Sequence, residues 1–366
     1  MGIMSSPQTP TGGLDLTQPA SAITRVICDV PSVSGDETSL ADLVEQALRE
    51  QTDLEVLRDG DTVVARTHLD RARRVVLAGH LDTVPIKDNL PTTTTVEPTG
   101  TWLHGRGTVD MKGGVAVALA LAGQLPSPSS DITYVFYDHE EVSADLNGLR
   151  RVAERHPEWL AADFAILGEP TAGRVEGGCN GTCRFLITTH GRRAHSARAW
   201  VGENAIHAAA DVLDVLRDFA PETVTVDGLD YREGLNAVGI TGGVAGNVIP
   251  DHCQVHVNYR FAPSRSAAEA EQRMRELFAG FDVEFVDMSP GARPGLDAPL
   301  AQAFLQAVGG EALPKYGWTD VARFSALGIP AVNFGPGDAL LAHADDERVL
   351  LEEVDHCQQA LTRWLG

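Results

Sequence analysis

Positive charge is scarce in this chain. There are 29 lysines and arginines against 51 aspartates and glutamates, a formal net charge of -22 over 366 residues. Such an acidic surface repels nucleic acid and anionic membrane, so neither is expected as a partner. A small anionic substrate remains admissible if arginines in the site, with metal ions, supply a local positive field. Cysteine is also sparse, at 28, 179, 183, 253 and 357, an odd number in no paired ligand spacing. That argues against a disulfide scaffold and fits a reducing compartment, the cytoplasm. Cys179 and Cys183 lie four positions apart, but no second pair follows to complete a structural zinc site. No apolar run reaches the roughly 20 residues that a membrane helix needs. The polar start MGIMSSPQTPTG, expected to be frayed, lacks the basic and apolar blocks of a signal peptide. The glycine-rich GRGTVDMKGG fits neither the GxGxxG dinucleotide pattern nor the GxxxxGK[ST] phosphate loop, and no GxSxG elbow marks a serine hydrolase.

What the chain does have is a set of short apolar runs that break off into polar clusters. VVLAGHLDTVP (75–85) ends in His80 and Asp82, and WLHGRGTVDMKGG (102–114) brings Asp110 to the head of an apolar helix. ITYVFYDHEE (132–141) ends in Glu140 and Glu141, and FAILGEP (164–170) in Glu169. A β-rich run followed at once by His, Asp or Glu is how an α/β sheet sets ligands at its carboxyl edge. The periodicity predicts helices over 14–27, 40–48 and 113–125, and strands over 54–67 and 75–79. From about residue 180 the order becomes β-α-β-β-α-β, a helix-on-sheet domain inserted into the first one, with SPGARPGLDAP (289–299) as the return hinge. The expected division is a catalytic domain in two parts, 1–178 and 291–366, around an insertion at 179–290.

His80, Asp110, Glu141, Glu169 and His343 are the candidate metal ligands. Two imidazoles and three carboxylates hold two divalent ions if one carboxylate bridges, and zinc suits the mixed nitrogen and oxygen set. Asp82, two residues beyond His80 on extended backbone, faces the same way and is expected to accept the proton on the other ring nitrogen. Glu140 and Glu141 are neighbours that point apart, so Glu141 is read as a ligand and Glu140 as the general base. One strand-end carboxylate is ordinarily a cap or a solvated turn; three carboxylates and two imidazoles together at strand ends or a helix head favour a metal site. His195, in GRRAHSARAW with Arg193 and Arg198 nearby, is either a surface histidine or a donor to an oxyanion or carboxylate. Asn247 in a glycine-bounded turn and Arg260 at a strand end are candidate substrate contacts. Asp320 and Arg323, three apart, read as an ion pair on one helical face. PSVSG (31–35) reads as a turn.

HLDTVP, GRGTVDMKGG, DHEE, GEP, GRRAHSARAWVGENAIH, GNVIPD and AHADDE, in that order from residue 24 onward, closely resemble the binuclear zinc amidohydrolases and aminopeptidases. That family includes succinyl-diaminopimelate desuccinylases, acetylornithine deacetylases, aminoacylases and glutamate carboxypeptidases. The resemblance implies a zinc-peptidase-like three-layer α/β catalytic domain with an inserted ferredoxin-like α+β dimerisation (lid) domain. It implies two zinc ions per subunit, with cobalt able to substitute: His80 and Glu169 on one, Glu141 and His343 on the other, Asp110 bridging, and a cis bond from Asp110 to Met111. Glu140 would be the base and Asp82 the orienter of His80. His195 would reach across the interface of a homodimer, and Asn247, Arg260 and Arg323 would contact the substrate. His139 departs from the pattern, since many relatives have Asp before the two glutamates, so the base rests on different neighbours. The finer pattern of ARAWVGENAIH, ALPKYGWTDVARF and FGPGDALLAHADDE resembles the actinobacterial desuccinylases of the family. That implies hydrolysis of N-succinyl-LL-2,6-diaminoheptanedioate. Deacylases of other N-acyl amino acids and related carboxypeptidases share the metals and the base, and differ in the acyl pocket. A metal-binding relative without turnover would have lost a ligand or the base, and none is missing.

Overall fold

The runs VVLAG and ITYVFY have no polar alternation, the pattern of strands covered on both faces. In the structure, a computed structural model that describes residues 13–366, they form the strands Arg74–His80 and Asp131–Tyr137, buried almost throughout. The polar start at 1–12 lies outside the described residues. The two strands pair in parallel inside an eight-stranded sheet. Its order is Glu55–Asp59, Thr62–Arg66, Asp131–Tyr137, Arg74–His80, Phe164–Leu167, Ala331–Asn333, Glu176–Gly177 and Leu313–Pro314. Helices Ala20–Cys28, Lys112–Gln124 and Leu351–Leu365 pack on one another, and Lys112–Gln124 also packs on strand Arg74–His80. Gly148–Arg155 packs on strands Thr62–Arg66 and Asp131–Tyr137. A separate three-stranded sheet joins Thr93–Glu97, Gly100–His104 and Arg348–Leu350.

Two expected elements differ. The stretch 54–67 is a hairpin rather than one strand: Glu55–Asp59 turns back onto Thr62–Arg66 with Asp59 opposite Thr62, and Gly60 takes φ +62 at the turn. The first helix begins at Ala20, after Pro19, and not at residue 14. Leu14 and Leu16 are nonetheless buried, on irregular backbone held where Gln51 Oε1 accepts from Leu16 N at 2.9 Å. Their burial produced the helix-like apolar spacing.

The chain divides into two compact units. The first, described above, comprises the chain up to Gly177 with Gly295–Leu313 and Arg323–Gly366; the second is Gly178–Pro294 with Pro314–Ala322. The second unit is built on a four-stranded antiparallel sheet, ordered Gly234–Gly242, His252–Phe261, Gly181–His190, Asp282–Ser289. Cys183, Phe185, Ile187, Cys253, Val255, Val257 and Tyr259 alternate inward from the two central strands into its core. Helices Ala205–Asp218 and Ala267–Leu277 pack against this sheet. Each has a side-chain cap: Asn204 accepts from Ile206 N and His207 N, and Ser266 with Glu269 forms a capping box. A hairpin, Thr223–Val226 with Leu229–Arg232, is added to the expected β-α-β-β-α-β order. Residues 314–322 group here because Asn180 N donates to the Lys315 carbonyl at 3.2 Å and Trp318 Nε1 to that of Pro290 at 3.0 Å. All five cysteines are free and buried. Among the described residues no helix is long and apolar enough to cross a membrane.

Candidate metal centre

Parallel register brings the polar clusters of the first unit together. His80 pairs with Tyr137, so Asp82 and the acidic pair at 140–141 leave the sheet at the same edge. Ala78 and Asn333 both pair with Leu167, so Glu169 and the loop leading to His343 leave beside them. Asp110 sits just before helix Lys112–Gln124, and the Asp110–Met111 bond is cis.

Asp110 stands between the two imidazoles. Its Oδ1 lies 3.2 Å from His80 Nε2 and its Oδ2 3.3 Å from His343 Nε2. His343 Nε2 is also 2.8 Å from Glu141 Oε1. Two groups of ligand atoms result, His80 with Asp110 and Glu169, and His343 with Asp110 and Glu141, each within 4.8 Å of one another. They share only Asp110. A third grouping joins His80, Glu140 and Glu141, which puts Glu140 beside both. One imidazole and two carboxylates per position, with a carboxylate common to both, is a donor set that fits a pair of divalent cations.

Asp82 is fully buried and holds more than His80. His80 Nδ1 lies 2.9 Å from the Asp82 backbone carbonyl, to which it must donate, and 3.5 Å from the Asp82 carboxylate. The carboxylate accepts from Glu140 N and Glu141 N, both at 3.0 Å, and from Ser34 Oγ at 2.7 Å. Its two oxygens therefore fix the backbone of the acidic pair. His139 takes φ +58, which turns the chain so that both N–H groups point at Asp82. The His139 ring meets Asp138 Oδ2 at 2.7 Å, and Glu37 Oε1 accepts from His139 N at 3.2 Å. These are the neighbours on which the departure from Asp at position 139 rests.

The charges are strongly interdependent. Burial works against a protonated His80, but its hydrogen bonding to the Asp110 and Asp82 carboxylates prevails and pushes its imidazole well above the usual range. Hydrogen bonding of its ring N–H to the Asp110 and Glu141 carboxylates raises His343 to about 10. Burial alone would raise Asp82, yet the hydrogen bond and charge of His80 bring it down to about 2. Asp110 likewise falls below the usual carboxylate range, because hydrogen bonds from both imidazoles outweigh its burial. Each imidazole is thus held where its neighbours require positive charge, the role a divalent cation fills while displacing the proton.

None of the remaining sequence candidates belongs to these groups. Arg323, in the first unit, is on helix Val321–Ala326, and its charge acts on Glu154; Asp320 precedes that helix and groups with the second unit. His195, Asn247 and Arg260 belong to the second unit. There, His195 pairs with Val248, and Ser196 N donates to the Asn247 carbonyl at 2.9 Å, so His195 and Asn247 are neighbours. His195 is exposed and its Nδ1 accepts from Ala197 N at 3.0 Å, which leaves Nε2 to carry the proton. Arg260 is half-buried on strand His252–Phe261, with its Nε donating to Asn258 Oδ1 at 3.0 Å. Sequence reasoning passed over Ser34 and Glu37, in a segment read only as a turn, and the buried charges Arg106 and Glu347. A hydroxyl and a carboxylate in PSVSGDE, facing solvent on the turn reading, were the available signal.

The family model described as Peptidase family M20/M25/M40 matches residues 76–366. A Mycobacterium tuberculosis protein, provisionally named a succinyl-diaminopimelate desuccinylase, is 52% identical over 96% of this chain and 99% of its own length. The succinyl-diaminopimelate desuccinylase of Corynebacterium glutamicum is 45% identical over 97% of this chain and 98% of its own. Among solved structures, a Staphylococcus aureus tripeptidase matches with a TM-score of 0.75 at 19% identity, covering 97% of this chain and 98% of its own. The Bacillus subtilis YXEP protein, described as a dinuclear metal binding peptidase from the M20 family, matches with a TM-score of 0.67 at 18% identity, over 94% of this chain and 96% of its own. At those identities the two structures speak for the fold, a zinc-peptidase-like α/β domain with an inserted α+β domain. With the family model covering most of the chain and two relatives covering nearly all of it, the chain belongs to peptidase family M20/M25/M40 and is a metal-dependent amidohydrolase.

Proposed function

We propose that this protein hydrolyses the amide bond of N-succinyl-LL-2,6-diaminoheptanedioate to succinate and LL-2,6-diaminoheptanedioate, in diaminopimelate and lysine biosynthesis. The observation that carries the reading is the pair of three-residue groups sharing Asp110 with Glu140 alongside, in a chain 45% identical to a desuccinylase across almost its whole length. On this reading His80, Asp110 and Glu169 hold one cation and Asp110, Glu141 and His343 the other, zinc by donor chemistry with cobalt as a substitute. When bound, two such cations would supply polarisation of the amide carbonyl and would lower the pKa of the attacking water. Glu140 accepts the proton of that water and returns it to the departing amine nitrogen, which balances the step: water adds across the C–N bond, giving carboxylate and amine. Asp82 keeps Glu140 and Glu141 aimed through their backbone N–H groups. His195, with its proton on Nε2, is the donor to the developing oxyanion.

His195 is proposed to act across a homodimer interface. In support, strand Gly234–Gly242 is an edge of its sheet and carries exposed Val238 and Ile240, an apolar edge suited to a second copy. The succinyl group adds a carboxylate that an acetyl group lacks. Arg198, exposed three residues beyond His195, makes no ion pair among the described residues, whereas Arg192 pairs with Glu203 and Arg193 with Asp251. It is the cation we assign to that carboxylate, with Asn247, Arg260 and Arg323 as the further substrate contacts. Five buried free thiols fit the reducing cytoplasm. The test is a comparison of kcat/KM for succinylated and acetylated forms of the same diamino acid, with zinc or cobalt supplied. A preference for the succinyl form is expected, and a preference for acetyl overturns the assignment.

A further inference from the structure

Two buried charges near the cluster have no part in the scheme above. Arg106 and Glu347 are 3% and 1% exposed, and Arg106 Nη1 meets Glu347 Oε2 at 2.7 Å although 241 residues separate them in sequence. A buried ion pair is a poor source of stability, since apolar side chains of the same volume commonly serve as well. What a pair of charges supplies instead is direction, through several oriented hydrogen bonds at once.

Each of those bonds ends on a segment that carries a metal-ligand candidate. Arg106 Nε donates to the Pro85 carbonyl at 3.2 Å, on the stretch leaving His80. Its Nη1 also donates to the Ala344 carbonyl at 3.2 Å, next to His343. Glu347 Oε1 accepts from Val109 N at 2.9 Å and from Asp110 N at 3.2 Å. The Glu347 backbone carbonyl accepts from Gly105 N at 3.0 Å, which ties the start of the same loop. One guanidinium and one carboxylate thus lock together the segments bearing His80, Asp110 and His343, the two imidazoles and the carboxylate between them.

We propose that Arg106 and Glu347 are positioning residues that set the spacing of His80, Asp110 and His343, and with it the simultaneous binding of two cations. They touch neither substrate nor metal. The proposal rests on the two-cation reading of the site, and the experiment separates the two. Metal-free wild-type protein and the Glu347→Gln variant are titrated with Zn2+ by calorimetry and by competition with a chelator. The Co2+-loaded forms are examined for magnetic coupling between the ions. Wild type is expected to take two equivalents. Glu347→Gln keeps the side-chain volume and one acceptor oxygen but loses the charge. Its first equivalent is expected to bind as in wild type, its second about 10–100-fold more weakly, with the coupled cobalt signal reduced.

A purely structural role would lower the melting temperature of the metal-free protein and leave the ratio of the two affinities alone. A folded Glu347→Gln that binds both ions as wild type does, with an unaltered cobalt signal, overturns the proposal. If Glu347→Gln does not fold, Arg106→Lys, which keeps the charge and loses the fork, carries the same expectation. If neither folds, the pair is structural and the proposal is wrong. A wild-type protein that takes fewer than two equivalents overturns the two-cation reading itself.

Discussion

Asp82 shows how one side chain governs several others. It accepts from Ser34 Oγ, Glu140 N and Glu141 N while lying beside His80. In Asp82→Asn one of those donors would face an amide NH2 instead of an oxygen. We expect kcat/KM to fall about 10–100-fold, together with weaker metal binding, as measured by steady-state kinetics and zinc titration; unchanged values would remove Asp82 from the machinery. Glu140→Ala separates proton transfer from metal binding. Its zinc content should equal that of wild type while turnover drops about 10²–10⁴-fold, and retained turnover would end its assignment as base. The ligand candidates were readable because each follows an apolar run by one to a few residues, a purely local pattern. Ser34, Glu37, Arg106 and Glu347 were not, because what they do is a contact made across tens or hundreds of residues. A turn such as PSVSGDE has a sufficient local explanation and gives no hint of a second one.

At the scale of elements, close approach of backbones matters as much as apolar burial. A Cβ on Gly114, in the first turn of helix Lys112–Gln124, would lie 2.0 Å from the Gly168 carbonyl oxygen, and one on Gly335 2.3 Å from the same atom. Gly168 directly precedes Glu169, so the helix, the strand end and a metal-ligand candidate share one tight contact. Gly114→Ala must push the helix from the sheet. We expect a loss of about 1–3 kcal/mol or more, read as a lower melting temperature, together with weaker zinc binding; a neutral substitution would mean that the contact is slack. The helix itself was legible from its composition, VAVALALAGQL, to within a residue of Lys112–Gln124. The hairpin at 55–66 was missed although its signal was present, since Gly60-Asp61 between two β-rich runs is a two-residue turn. The segment at 14–19 was misread for the opposite reason: Leu14 and Leu16 are buried without being helical.

For the molecule as a whole, the change of element order near residue 180 revealed a second body, but not that residues 314–322 return to it, because that grouping rests on hydrogen bonds to Asn180 and Pro290. The five thiols give a test of packing. Burial pushes Cys28 and Cys183 up to about 12, whereas thiols in the unfolded chain ionise near roughly 8.5. Above that pH the unfolded chain has lost protons that the folded one retains, so the thiols' contribution to stability, complete below about 8.5, declines towards pH 12. Denaturant melts across that range should show it, and the native protein should consume no thiol reagent at neutral pH. Assembly gives a sharper test. Val238 and Ile240 are 64% and 52% exposed on the edge strand Gly234–Gly242, and Ile206 and Leu213 are exposed on helix Ala205–Asp218, which packs against that strand. A lone chain gains nothing by offering an open apolar edge to water, whereas two copies related by a two-fold axis bury the same edge on both sides. Ile240→Lys puts a charge in the middle of that contact and leaves the metal ligands untouched. It should shift sedimentation from dimer to monomer and lower specific activity, with zinc content unchanged, because His195 would lose the active site it is proposed to serve. A wild-type chain that sediments as a monomer at every concentration while fully active would eliminate both the interface and the cross-subunit role of His195.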